Sequence, residues 1–146
     1  MRFYLDGDEI KANFIPTKAH EGYMGVCHGG VLTALLEEAM GWAPSWHNKW
    51  FTVAVEINIR FLKPVPIGKM VIATARATRT HGRLWEAEGE IVGQDGTIYV
   101  KGRGRYYPLK PEQVLTVLNY LSYDDDTIAR EEFERGVRKA LAQREK

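Results

Sequence analysis

The chain has a single cysteine, Cys27, in 146 residues, which excludes an intrachain disulfide framework. It has no apolar run near the roughly 20 residues that a membrane-spanning helix needs. The opening stretch MRFYLDGDEI holds no signal-peptide core, so a cytoplasmic protein without a membrane partner is the expectation. Neither sign of charge is in excess: 20 Lys and Arg against 19 Asp and Glu leave a formal net charge of +1. No overall field therefore favours nucleic acid. The four histidines, His20, His28, His47 and His81, show no metal-ligand spacing, and no metal is expected. Repeats, low-complexity tracts and long linkers are also missing.

What is present fits one ordinary domain. A chain of this length buries about two thirds of its unfolded surface and folds without disulfide or metal. Residues 9–15 read as a short strand ended by Pro16. Residues 29–43 read as a helix closed by Pro44, because proline disfavours helix in the residue before it; an aromatic loop from Ser45 to Trp50 follows. From 52 to 62 the pattern alternates, with Val53, Val55, Ile57, Ile59 and Phe61 on one side and Thr52, Glu56, Asn58 and Arg60 on the other, which indicates a half-buried strand. Further strands are predicted at 69–79, 84–92 and 97–107, the last two joined by an Asp95-Gly96 hairpin.

Small residues recur on neighbouring strands: Ala73, Ala75 and Ala77, then Ala87 and Gly89, then Gly102 and Gly104. They let another backbone approach closely, and the only long element available is the helix at 29–43. A curved antiparallel sheet wrapped around one central helix is the α+β architecture this implies. The remainder, from Pro111, reads as two short helices. The first carries Val114, Val117, Leu118 and Leu121 at helical spacing; the second is capped by Asp124 to Thr127 and striped by Ile128, Phe133, Val137 and Leu141. No chemistry is apparent in this tail.

Chemistry concentrates at the central helix. On a helical wheel Glu37 sits in a strip of small residues that includes Thr33, Ala34 and Gly41. Gly and Ala leave room for something to lie against it, where a solvated face would carry Lys, Arg or Gln. At the start of the helix, Gly29 and Gly30 leave the first N–H groups unobstructed. Those groups have no partner inside the helix and carry the positive end of its dipole, so they suit an anion or a carbonyl oxygen gaining charge.

The run from Gly22 through His28-Gly29-Gly30-Val31 to Leu35-Leu36-Glu37-Glu38-Ala39-Met40 resembles PaaI-like and 4-hydroxybenzoyl-CoA-type thioesterases of the hot-dog superfamily. Their pattern is G-x-x-H-G-G followed by an acidic residue nine positions after the histidine, here Gly25, His28, Gly29, Gly30 and Glu37. The strand from Thr52 into Lys63-Pro64-Val65-Pro66, the Asp95-Gly96 hairpin and Gly102 to Tyr106 are also similar. The resemblance covers residues 9 to about 108, which suggests a hot-dog domain over 1–108 and a C-terminal helical extension over 109–146.

The resemblance implies hydrolysis of acyl-CoA thioesters. Gly29 N–H would polarise the thioester carbonyl, and Glu37 would act as general base on water or attack directly. His28 would orient the loop and helix start. Gly25, Gly30, Thr52, Ala54 and Asn58 are the candidate substrate contacts. Coenzyme A enters only as part of the substrate, and no separate cofactor is implied. The protein would be a homodimer or a dimer of dimers, with Glu37 and the glycine amide from opposite subunits. Two positions depart from the pattern. Gly22 stands where many relatives carry Asn or Gln, and Ala54 near where many carry Ser or Thr, with Thr52 the nearest substitute. A hot-dog hydratase pairing His20 or His28 with Glu37, and a non-catalytic acyl-CoA binding protein, are the alternatives. Arg60, Lys63, Arg79, Arg83, Lys101, Arg103 and Arg105 are candidates to meet coenzyme A phosphates; Trp42, Trp46, Trp50, Phe51 and Trp85 are candidates to line an acyl pocket.

Overall fold

The computed structural model describes residues 1–121 and 129–144. Six strands form one antiparallel sheet: β1 (Tyr4–Asp6), β2 (Glu9–Phe14), β3 (Thr52–Phe61), β4 (Val71–Arg79), β5 (Trp85–Gly93) and β6 (Ile98–Pro108). Their order across the sheet is β1-β2-β4-β5-β6-β3, so β3 forms one free edge. Helix α1 (Gly29–Asn48) crosses the inner face and packs against β2 through β6. Helices α2 (Pro111–Tyr120) and α3 (Ala129–Arg144) follow. The antiparallel sheet packed on one central helix, with helices after the last strand, matches the architecture expected from the residue pattern.

The small inner-face residues explain how α1 sits so deep. A Cβ on Gly102 would lie 2.9 Å from side-chain carbons of both Leu36 and Ile59 and 3.2 Å from Met40. One on Gly89 would lie 2.8 Å from the Thr74 carbonyl oxygen and 2.9 Å from Leu36. Leu35, Leu36, Ala39 and Met40 are fully buried along this contact. The sheet thus holds a trough for the helix, cut by the absence of side chains.

Three features differ from the sequence reading. Strand β1 was not anticipated; it pairs with β2 through a turn at Gly7, whose φ of 62° suits glycine. Helix α1 does not stop at Ala43 but runs through Pro44 to Asn48, so most of the expected aromatic loop is helical. Proline removes one helical hydrogen bond, but Ala43, Pro44 and Ser45 are buried and Trp42 and Trp46 are packed on their outer sides, and this packing outweighs the loss. The helix ends where Lys49 turns left-handed at φ 51° and places its ammonium 3.2 Å from the Trp46 ring centroid.

The third difference is in β3. The register against β6 shifts between Ala54 and Glu56, so Val55 is the extra residue of a β-bulge. The bulge interrupts the simple alternation. Ala54 joins Ile57 and Ile59 against the core, whereas Val53 and Val55 remain about half exposed, at 48% and 54%. In the tail, Phe133, Val137 and Leu141 are buried as the spacing implied; the Asp124–Thr127 cap and Ile128 lie outside the described residues.

The trough makes a stability prediction. Gly102→Val places two methyl groups where Leu36 and Met40 already stand, and overpacking of this kind costs about 1–3 kcal/mol. Chemical denaturation of the variant should show that loss at an unchanged m-value; undiminished stability would mean that α1 is not held against β6 as described.

Candidate functional site

The turn that delivers the chain to α1 is built from short-range hydrogen bonds. Gly22 N–H donates to the Val26 carbonyl at 2.9 Å, Val26 N–H to the Tyr23 carbonyl at 2.9 Å, and Gly25 N–H to the Glu21 carboxylate at 2.6 Å. Gly25 occupies φ 78°, where other residues are strained. His28 then caps the helix: its Nδ1 accepts from Gly30 N–H at 2.9 Å, so this nitrogen carries no proton. Gly22 is tightly placed beside it, since a Cβ there would meet the His28 Cα at 3.1 Å and Cδ2 at 3.2 Å. A side chain at position 22 would crowd His28 and require it to shift by a few tenths of an ångström, a contact that glycine avoids.

With Gly30 N–H engaged and Val31 and Leu32 bonded to the His28 carbonyl, no hydrogen bond among the described residues uses the Gly29 N–H. The Phe61 ring lies over this end of the helix, 3.2 Å from where a Gly29 Cβ would be. An unengaged donor at a helix start, next to an apolar ring, is suited to a carbonyl oxygen gaining charge.

Glu37 lies two helical turns further along. It is half-buried in a cleft of about 180 Å³ with Gly41, Trp42, Ser45, Phe51, Thr52, Ala54 and Tyr106. The bulge in β3 brings Thr52 and Ala54 to this cleft. Burial, and then the neighbouring charge of Glu38, raise the Glu37 pKa above the ordinary carboxyl value. Among the described residues it has no ion pair or side-chain hydrogen bond. Ser45, buried at 4% exposure, lies with its Oγ 3.3 Å from the Thr52 Oγ1 in the same cleft.

Tyr106 was not singled out from sequence. Its ring passes 3.4 Å from the Cβ position of Gly41, and its hydroxyl donates to the Glu37 carbonyl oxygen at 3.3 Å. Burial and the charges of Glu37 and Glu38 raise its pKa strongly, so it stays a protonated donor. The sequence trace of this placement was the glycine at 104, where a Cβ would lie 2.6 Å from the Tyr106 ring and 2.7 Å from its hydroxyl oxygen.

Other candidates stand elsewhere. Asn58 is on the outer sheet face, in a concavity of about 630 Å³ with Arg60, Lys101, Arg103, Glu88 and Glu90; within one chain it is not brought to Glu37. Arg105 pairs with Glu56 at 3.1 Å and Arg79 with Glu86 at 3.9 Å on that face. His20 Nδ1 is occupied by Thr17 at 2.9 Å, so neither His20 nor His28 is coupled to Glu37 within the chain. Cys27 is buried and its thiol pKa raised by that burial, which makes it a poor nucleophile. Among the described residues there is no cluster of three or more metal-ligating side chains, and no helix long and apolar enough to cross a membrane.

Comparison with known proteins identifies the family and the fold. The family model of the thioesterase superfamily matches residues 24–100, and the chain belongs to that family. A protein of Archaeoglobus fulgidus provisionally named an esterase is 30% identical over 97 residues, 66% of this chain and 62% of that protein. The acyl-coenzyme A thioesterase THEM4 of Bos taurus is 25% identical over 97 residues, 66% of this chain and 39% of its own length. The match thus spans between about two fifths and three fifths of these relatives. Among solved structures, the PaaI protein of the E. coli phenylacetic acid degradation operon superposes with a TM-score of 0.69 at 24% identity, covering 75% of this chain and 79% of that one. The Streptococcus mutans protein smu.793, solved with acetyl CoA, also gives 0.69, at 14% identity over 75% and 90%. The fold is that of the hot-dog thioesterases.

The raised Glu37 pKa has a signed consequence. A carboxyl whose folded pKa lies above its unfolded value, about 4.3, favours folding most below that value, and the advantage is lost as pH rises through the folded pKa. Glu37→Gln should therefore have a higher Tm than wild type at pH 7–8, with the gap narrowing on acidification toward pH 4. A gap independent of pH would show that the Glu37 carboxyl is not desolvated.

Proposed function

We propose that the protein hydrolyses acyl-CoA thioesters as a homodimer, with Glu37 of one copy and the Gly29 N–H of the other acting on the same thioester. The observation that carries this is the distance between the two groups within one chain. Eight residues of α-helix separate them, a rise of about 12 Å along the axis, which favours a thioester held between two copies over one that spans two turns of a single helix. The free edge supports the dimer. β3 is a ten-residue strand paired with β6 on one side and open on the other, and it carries the half-exposed Val53, Val55 and Phe61, with Leu62 just beyond it. A long apolar edge of this kind invites antiparallel pairing with a second copy. Relatives solved with coenzyme A or acetyl CoA support the ligand class.

In this reading the half-buried Glu37 carboxylate takes a proton from water as the water oxygen attacks the thioester carbon. The carbonyl oxygen gains charge and is stabilised by the Gly29 N–H at the positive end of α1. Collapse of the tetrahedral species returns the proton to sulfur and releases coenzyme A and the free acid. Direct attack by Glu37, giving a mixed anhydride that water then opens, uses the same groups. The hydroxyls of Ser45 and Thr52, in the same cleft, are placed to hold the water. Tyr106 fixes the turn of α1 that bears Glu37.

Thiol release from a panel of acyl-CoAs tests the chemistry. Glu37→Ala should lower kcat by about 10²- to 10⁴-fold, with the acid limb of the wild-type pH profile displaced above the ordinary glutamate range. Wild type that releases no thiol would overturn the proposal. Gly29→Pro removes the amide donor, and Gly29→Ala, which keeps the N–H but brings a Cβ to the same 3.2 Å contact with Phe61, is its control. His28 already has the extended φ −61°, ψ 133° that a residue before proline prefers, and proline is well tolerated at the first helical position. Removing this one donor should cost about 10²- to 10³-fold. Mixed dimers of Glu37→Gln and Gly29→Pro chains separate the arrangements. Groups acting across the interface leave one of the two sites intact and restore activity, whereas groups acting within a chain leave both sites dead.

A further inference from the structure

We infer that the C-terminal extension sets the length of acyl group accepted, through Val117 and Leu121. The inference rests on the thioesterase reading and adds a determinant from beyond the residues the family model covers. Val117 and Leu121 line the same cleft as Glu37, Thr52, Ala54 and Tyr106, although the family match ends at residue 100.

The placement of α2 is built in. Leu109 N–H donates to the Phe51 carbonyl at 3.0 Å, and the Trp50 indole N–H donates to the Leu109 carbonyl at 2.8 Å. These two bonds pin the chain entering α2 to the segment just before β3. Val114 and Leu118 then bury completely or nearly so, at 0% and 6% exposure, in a cluster with Trp50, Phe51, Trp85 and Phe133. Phe133 of α3 reinforces it, stacking on Trp46 at 5.9 Å and meeting Phe51 edge-on at 5.2 Å. Residues at i+3 share a helix face. Val117 and Leu121 each lie three residues beyond an anchor, half-buried, packed against the cluster on one side and lining the cleft on the other.

The cleft is lined by the polar Glu37, Glu38, Ser45 and Thr52 and by the apolar Trp42, Phe51, Val117 and Leu121. Its volume of about 180 Å³ is close to the roughly 150 Å³ of an engineered apolar cavity in another protein that holds one benzene molecule. A short or single-ring acyl group fits, and a long chain meets Val117 and Leu121. Both are aliphatic and fixed from behind, so the limit is steric.

The test is a chain-length series of straight acyl-CoAs from four to twelve carbons, run in two ways. Hydrolysis is followed as thiol release by wild type, Val117→Ala/Leu121→Ala and Val117→Phe. Binding of the same acyl-CoAs is measured by calorimetry on the Glu37→Gln forms. The double alanine variant should raise the kcat/KM and affinity of the ten- and twelve-carbon substrates relative to the four-carbon one by at least about tenfold, the range one or two methylenes command in an apolar pocket. Val117→Phe should shift preference the other way. An unchanged profile in both variants, in folded protein that hydrolyses the short substrates, overturns the inference while leaving the thioesterase reading intact. If wild type hydrolyses nothing but binding shows the expected shift, the wall stands and the hydrolase reading falls.

Discussion

The structure depends on the close approach of α1 to the sheet. Leu36 and Met40 occupy space that side chains at Gly89 and Gly102 would fill. This contact buries Leu35, Leu36, Ala39 and Met40 completely, the two leucines and the methionine each contributing at most about 1.5–3 kcal/mol and the Ala39 methyl about 0.8 kcal/mol. It also fixes the rotation of the helix. With the Leu36 and Met40 side turned into the trough, Glu37 and Gly41 face the margin of the sheet, beside β3 and Tyr106. The candidate base owes its position to the packing of its neighbours rather than to any bond of its own.

The same helix keeps the two chemical groups apart. Its first turn presents the Gly29 amide, held ready by the His28 cap; its middle presents a half-buried glutamate whose ionisation is disfavoured by the surroundings. Helix geometry separates them by about 12 Å along the axis within one chain, and β3 leaves one edge of the sheet open. The bulge at Val55 serves both ends of this arrangement. It turns Ala54 toward Glu37 and leaves Val53 and Val55 on the exposed side.

The extension connects to this centre through aromatic packing. Trp42 and Trp46 on α1, Phe51 before β3 and Phe133 on α3 form one set of ring contacts. Continuation of α1 through Pro44 makes the set possible, because Trp46 lies on the part of the helix that a stop at Ala43 would have lost. The residues expected to form an aromatic loop instead make the surface on which the tail docks.

Much of the molecule was legible in the sequence because the patterns involved are local. Period-two strands, the Asp95-Gly96 hairpin, the glycine and alanine positions under the helix and the H-G-G to glutamate spacing all follow from residues near one another in the chain. What escaped was decided by distant contacts. The Pro44 stop was overridden by packing of Trp42 and Trp46, and the β3 alternation by a register shift against β6. Tyr106 reached Glu37 only because β6 lies beside α1, and the tail looked inert until folding set Val117 and Leu121 against the cleft. Sequence by itself determined most of the elements and where Glu37 and the Gly29 amide stand along one helix, since spacing and side-chain size act within a few residues. Tertiary structure alone decided what surrounds Glu37, because its burial depends on residues from 41 to 121 meeting in one place.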